Sequence, residues 1–224
     1  MPAIALVAAG ARLGLSLGKI FGGHGFDVAL IARSKDRLGE LTGILTAEGV
    51  TAAGFPADVT DRRGLSAALD SAAARFGGID VLHYSSPGAG TSQVLRSTGA
   101  LDVTVDNLRP QIDSICYGAI TATRAVLPAM LAAGRGTLLY TTGASSITPA
   151  PVFVSAGMAG AALRKWALTL NGALAGQGVY VGHVAIGLDA RREADLDAAG
   201  QPPPIAGHGC SCNLCASAAV RVSP

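Results

Sequence analysis

Ile4-Ala5-Leu6-Val7-Ala8-Ala9-Gly10-Ala11-Arg12-Leu13-Gly14-Leu15 passes from an apolar run through a turn of small residues into a helical pattern. That pattern stops near Gly25, and a second apolar run, Val28-Ala29-Leu30-Ile31, ends at Ala32-Arg33-Ser34. Strand, turn, helix and strand within about 30 residues make a crossover unit whose helix N-terminus points unpaired backbone N–H groups at an anion. Pyrophosphate is the anion this arrangement suits, and a cation at Arg33 suits a further phosphate.

The same alternation continues. Short β-branched runs at Thr51–Phe55, Ile79–His83, Thr137–Thr141 and Val179–Ile186 follow those at Ile4–Val7 and Val28–Ile31, with helical patterns between them. Strands that are apolar throughout suit a sheet covered on both faces, so the expected fold is α/β, a doubly wound parallel (Rossmann-like) sheet in a single domain over residues 1–188. Leu13, Leu17, Ile20 and Phe21 share one helical face, as do Leu65, Ala68, Leu69, Ala72 and Phe76. Longer helices are expected over residues 110–133, burying Ile112, Ile115, Cys116, Ala119, Ile120, Thr123 and Leu127, and over residues 155–175. Residues 189–224, with Pro202-Pro203-Pro204 and a Gly/Cys-rich end, read as an irregular tail.

Charge and composition narrow the partners. Seventeen Lys plus Arg against fifteen Asp plus Glu give +2 over 224 residues, without a basic stripe, so no nucleic acid is expected. No run of eighteen consecutive apolar residues and no basic leader is visible, so the expected setting is the cytoplasm, with no membrane. Cys116 stands alone in a helical pattern and the other three cysteines crowd the tail, which is not a disulfide framework.

The first turn, the residues after the second strand and the spacing of the later helices together resemble the short-chain dehydrogenase/reductase family, whose first turn is Thr-Gly-x-x-x-Gly-x-Gly. In one register Gly14 takes the last glycine place, with Ala8 and Arg12 in the other two. In the other, Gly10 and Gly14 are the anchors and Ser16 the third position. The resemblance implies a dinucleotide held by Gly10, Arg12, Leu13 and Gly14. Ala32 stands where an acidic residue would hold a ribose hydroxyl, and Arg33-Ser34 follows, which favours NADP(H) over NAD(H). Asp58-Val59 matches the pair beside the adenine, with helix capping as the other role for Asp58. Tyr84, Ser85 and Ser86 stand for the family's Asn-Asn-Ala run, with Tyr84 alternatively a packed aromatic, and Gly187 for its glycine after strand six.

In that family a Ser orients the substrate carbonyl, a Tyr moves its proton, and a Lys lowers the Tyr pKa. Here Thr142 falls in the Ser place, Val154 in the Tyr place, Met158 in the Lys place and Ile115 in the place of a helix Asn, while Lys165 is seven residues beyond Met158. A valine and a methionine move no proton, so the hydroxyls left for chemistry are Thr142, Ser145, Ser146 and Tyr117, with Tyr84 behind them. Of the histidines, His24 lies near a helix end, His183 inside strand six, and His83 is the one that could point toward the cleft as an acid or base, with a hydrogen-bonded core position beside a buried strand as the commoner reading. His208, Cys210, Cys212 and Cys215 offer metal ligands in tight spacing, though an accidental cluster fits them too. The expectation is an atypical family member with an NADP-type pocket acting on a small hydrophobic substrate. The alternatives are non-redox chemistry (cyclisation, isomerisation or dehydration) and a non-catalytic nucleotide-binding subunit. The resemblance also implies a homodimer or homotetramer through the 110–133 and 155–175 helices.

Overall fold

The sheet runs β3-β2-β1-β4-β5-β6, all neighbours parallel, so the chain builds outward from β1 in one direction, returns, and builds outward in the other. The computed structural model describes residues 1–85 and 98–187. The strands are β1 (Ala3–Val7), β2 (Asp27–Ala32), β3 (Ala52–Pro56), β4 (Val81–Ser85), β5 (Gly136–Gly143) and β6 (Val179–Ile186). The helices are α1 (Leu13–Gly23), α2 (Lys35–Ala47), α3 (Arg62–Phe76), α4 (Val105–Ile112), α5 (Gly118–Ala133) and α6 (Val154–Ala173). Met1–Gly187 forms one compact unit, and the expected doubly wound parallel sheet is present.

Alternation along each strand divides two cores. Tyr84, Leu138 and Tyr140 point to the side where Leu65, Leu69, Ala119, Val126, Met130 and Leu163 pack, while Ile4, Leu6, Val28 and Leu30 point to Leu38, Leu41 and Leu45 on the other. Each large aliphatic side chain buried this way contributes about 1.5–3 kcal/mol. The α3 stripe is as expected, with Leu65, Ala68, Leu69 and Ala72 buried. On α1, Leu17 and Phe21 pack partly buried against the core as expected, but the fully buried positions are Gly14 and Gly18, and Ile20 is exposed. Gly18 lies so close to α2 that an added Cβ would stand 3.0 Å from a Leu45 methyl.

Three boundaries differ from expectation for local reasons. β4 starts at Val81 rather than Ile79, because Gly77 and Gly78 turn with positive φ and Asp80 is still occupied closing on Ala3, accepting from its N–H and donating to its carbonyl. The long helix starts at Val105 rather than at Pro110, since Thr104 and Asn107 form a reciprocal capping box. It then widens into a π-turn at Asp113–Tyr117 before α5. Gly118 N–H bonds back to the Asp113 carbonyl, and the Ser114 carbonyl accepts from the Tyr84 hydroxyl. Gly118 is required here, because a Cβ would collide with that hydroxyl. Ile120 and Leu127 are only half-buried, and Ala122, Val126 and Met130 fill the inner face. The continuous helix Val105–Ala133 is long and apolar enough to cross a membrane, but that buried inner face makes it a core helix.

Candidate functional site at the carboxyl ends of β1, β2, β5 and β6

Among the described residues, Ala8 alone combines a side chain with positive φ, at 58°. An L-residue there is strained by about 1 kcal/mol, so the turn after β1 has the backbone of a glycine position. Gly14 makes the close approach: a Cβ on it would stand 3.0 Å from Ala9 Cα. Gly10, by contrast, has ordinary φ and open space where a Cβ would sit, which selects the register with Ala8, Arg12 and Gly14. Arg12 is the exposed N-terminal flank of α1, whose first turn has no side-chain cap. The opening N–H groups of α1 at Leu13 and Gly14 therefore face an end suited to an anion.

At the end of β2, the Arg33 guanidinium lies 4.0 Å from an Asp58 carboxylate oxygen, both side chains well exposed. Ser34 caps α2 by accepting from Arg37 N–H at 3.2 Å. Asp58 does not cap α3. It accepts from Thr60 N–H and hydroxyl, and Asp61 is the cap. Val59 is buried, and Ser85 ends β4 beside Thr141. Ser86 lies outside the described residues. Gly187 follows β6, close enough to Ala144 that a Cβ would stand 3.4 Å from its methyl.

At the β5 end, Thr142 Oγ1 donates to Ser146 Oγ at 2.8 Å and lies 2.9 Å from His183 Nε2 on β6. Thr142 and Ser146 are buried and His183 is half-buried. Burial, and after it the positive Arg164 of α6, hold the His183 imidazolium below its ordinary pKa. Ser145, in the same turn, lies under α6: an added Cβ on Gly157 would meet its carbonyl oxygen at 2.7 Å, and one on Gly160 would meet Ser146 Cβ at 3.0 Å. Those two glycines let the helix seat directly on the hydroxyl-bearing turn. Val154, half-buried, opens α6 and donates its N–H to the Thr98 carbonyl at 3.0 Å; Met158, one turn on, is exposed, as is Lys165.

All four tyrosines are described, and none hydrogen-bonds to Thr142, Ser146 or His183. Tyr84 is fully buried and bonded to Ser114, its phenol pushed far up by burial. Tyr140 hydrogen-bonds Thr123 at 2.6 Å beneath Trp166. Tyr117 is exposed under the Arg62 guanidinium, apart from the Thr142 cluster, and Tyr180 is exposed on β6. His83 takes the commoner of its two readings, the core one. Rather than facing the cleft it is buried beside Thr141 Oγ1 at 2.9 Å, and burial lowers its pKa from 6.5 to about 4. His183 is the histidine at the site. His24 ends α1, and His208, Cys210, Cys212 and Cys215 lie outside the described residues. A shallow groove of about 790 Å3 along α2 and β3 lies at the opposite sheet edge from His183.

A family model described as short chain dehydrogenase matches residues 3–191. The chain belongs to the short-chain dehydrogenase family. The chain is 30% identical over 136 residues to a fatty acyl-CoA reductase of Mycobacterium tuberculosis, covering 61% of this chain and 45% of the relative. It is 32% identical over 143 residues to a cis-2,3-dihydrobiphenyl-2,3-diol dehydrogenase of Paraburkholderia xenovorans, covering 62% and 48%. This short-chain dehydrogenase thus spans about half the length of these relatives. Its fold is like that of a 7α-hydroxysteroid dehydrogenase complexed with NADH and 7-oxoglycochenodeoxycholic acid, with TM-score 0.77, 19% identity and coverage of 87% and 78%. It is also like an L-sorbose reductase from Gluconobacter frateurii complexed with NADPH and L-sorbose, with TM-score 0.74, 22% identity and coverage of 89% and 77%.

Short-chain dehydrogenases bind a nicotinamide dinucleotide, and the turn in this one fits such a group: a left-handed residue at Ala8, a close glycine at Gly14 and an uncapped helix start. Arg12, which stands in a glycine place of that register, is exposed. Its sequence hid His183 and Arg164. The available signal was strand parity, since Tyr140 and Thr142 share one face of β5 and the register sets Tyr140 opposite His183.

Proposed function

We propose that this short-chain dehydrogenase binds NADP(H) in preference to NAD(H) and acts on a small hydrophobic substrate without a tyrosine–lysine pair. The β1–α1 turn, with Ala8 at φ 58° on a glycine-type backbone, is the observation that carries the cofactor reading. Arg33 beside Asp58 at the end of β2 supports the NADP preference, because a guanidinium answers a 2′-phosphate with paired N–H donors. Bound there, the dinucleotide supplies hydride chemistry. The protein's share is the Thr142–Ser146–His183 cluster, which offers hydroxyl donors to a substrate oxygen at the carboxyl end of the sheet. Val154 and Met158 support a reaction that leaves the family's phenol unused, since they open α6 where a phenol and an ammonium would be needed.

The test is a fluorescence titration with NADPH and NADH. Tighter NADPH binding is expected, and Arg33→Ala should lower the preference about tenfold, corresponding to about 1.4 kcal/mol. No binding of either nucleotide removes the cofactor reading. Ala8→Gly should raise stability to denaturant by about 1 kcal/mol, since it relieves the left-handed backbone. We also propose self-association through α4–α5 and α6, whose outer faces expose Tyr117, Leu131 and Leu168. Light scattering should return a dimer or tetramer, and a monomer would overturn it.

A further inference from the structure

Resting on the reading that a substrate oxygen binds at the carboxyl ends of β5 and β6, we propose that His183 supplies protons to that oxygen through Thr142 and Ser146. The imidazole acts through the two hydroxyls and is therefore a positioning and proton-supplying residue.

Hydrogen-bond arithmetic sets the direction. A threonine hydroxyl has one proton. Thr142 is placed to give it to Ser146 Oγ at 2.8 Å, a shorter contact than the Gly143 carbonyl at 3.3 Å. With that proton committed, the 2.9 Å contact between Thr142 Oγ1 and His183 Nε2 needs the ring nitrogen to donate. The order runs from His183 to Thr142 to Ser146, and the Ser146 proton remains for an acceptor beyond.

The two ends differ in access. His183 is half-buried on an outer strand of the described sheet, where solvent can recharge the ring. Ser146 is buried against α6 at Gly160. In the step itself, Ser146 O–H breaks as a new O–H forms on the bound molecule's oxygen, Ser146 takes the Thr142 proton, and Thr142 takes the proton from Nε2. Immediately after transfer the former imidazolium is neutral and holds its proton on Nδ1; exchange with water returns it to the resting Nε2-protonated ring or to imidazolium, and no electrons change hands.

Around the ring, α6 contributes Arg164, the turn after β5 contributes Ser146 through Thr142, and β5 contributes Tyr140, whose phenol is bonded to Thr123 and pushed far up by burial. Among these described neighbours none is a carboxylate that would hold the ring protonated. The imidazolium is consequently a readier donor than a free histidine, and its supply falls as pH rises.

The test uses the full chain with 15N-labelled histidine, following the imidazole nitrogens from about pH 4 to about pH 9. The neutral His183 ring is expected to carry its proton on Nε2. Ser146→Ala leaves the ring contact in place and removes the acceptor of the Thr142 proton, and is expected to move the His183 midpoint by about half a pH unit. Thr142→Val should abolish that sensitivity to position 146, and Thr142→Ser should retain it. A ring held only for packing would ignore Ser146→Ala. A neutral ring protonated on Nδ1, or a midpoint unmoved by Ser146→Ala, overturns the relay. NADPH titration of the same samples reports on the cofactor separately: lost NADPH binding with the His183–Ser146 coupling intact removes the cofactor and leaves the relay supported.

Discussion

Two histidine–threonine pairs flank β5, His83 with Thr141 and His183 with Thr142, each at 2.9 Å between Nε2 and Oγ1. Successive strand residues point to opposite faces, so neighbouring threonines serve opposite sides of one sheet. His83 lies on a central strand and is almost wholly buried, whereas His183 lies on β6 and is half-buried, with a second hydroxyl, Ser146, continuing its chain. The same contact thus makes a core staple in one place and the start of a proton path in the other. What separates them is access to solvent at one end and an onward donor at the other.

The largest expected effect is on acid stability. Burial sets the folded His83 pKa near 4, below its unfolded value of 6.5. Between these values the unfolded chain binds more protons, so this contribution is full above pH 6.5 and is lost as pH falls toward about 4, to the extent of about 3 kcal/mol. Denaturant melts of wild type and His83→Gln across that window should differ in slope, the variant being flatter. Equal slopes would mean that His83 is hydrated and that the two pairs are alike. His183 has the same sign, since its folded pKa is also lowered, but half-exposure makes its share smaller.

Much of this was legible in the sequence, and the failures share a cause. Apolar runs of strand length, separated by periodic helices, place all six strands, since that alternation is local. The hydroxyls Thr142, Ser145 and Ser146 were equally visible. The partnership of Thr142 with His183 was not, because it depends on β6 lying beside β5 and on a register linking residues more than forty positions apart. His83 was legible as a core histidine from its place beside a buried strand, but its partner Thr141 was not, because that contact needs β5 set beside β4. On α1, apolar periodicity favoured Ile20 over Gly14 and Gly18, because a stripe of large residues is visible where a close approach by glycine is not. Pro110 drew the start of the long helix five residues too late, although Thr104 and Asn107 have capping-box spacing.

A next-smaller effect comes from removing each threonine hydroxyl. Thr141→Val leaves the His83 Nε2 buried without its partner, which should cost about 1–3 kcal/mol. Thr142→Val also breaks a histidine contact, but His183 is open enough for water to replace it, and Ser146 loses only the proton it accepted. The expected cost is about 1 kcal/mol or less. Paired denaturant melts at neutral pH measure both, with the Thr141 variant less stable. If Thr142→Val proves the more damaging, Ser146 and His183 are held as tightly as His83 is, and the β5–β6 cluster is a second core staple. If the order is as expected, the cluster contributes little to folding, which leaves its hydroxyls and its half-open imidazole free to serve a bound oxygen.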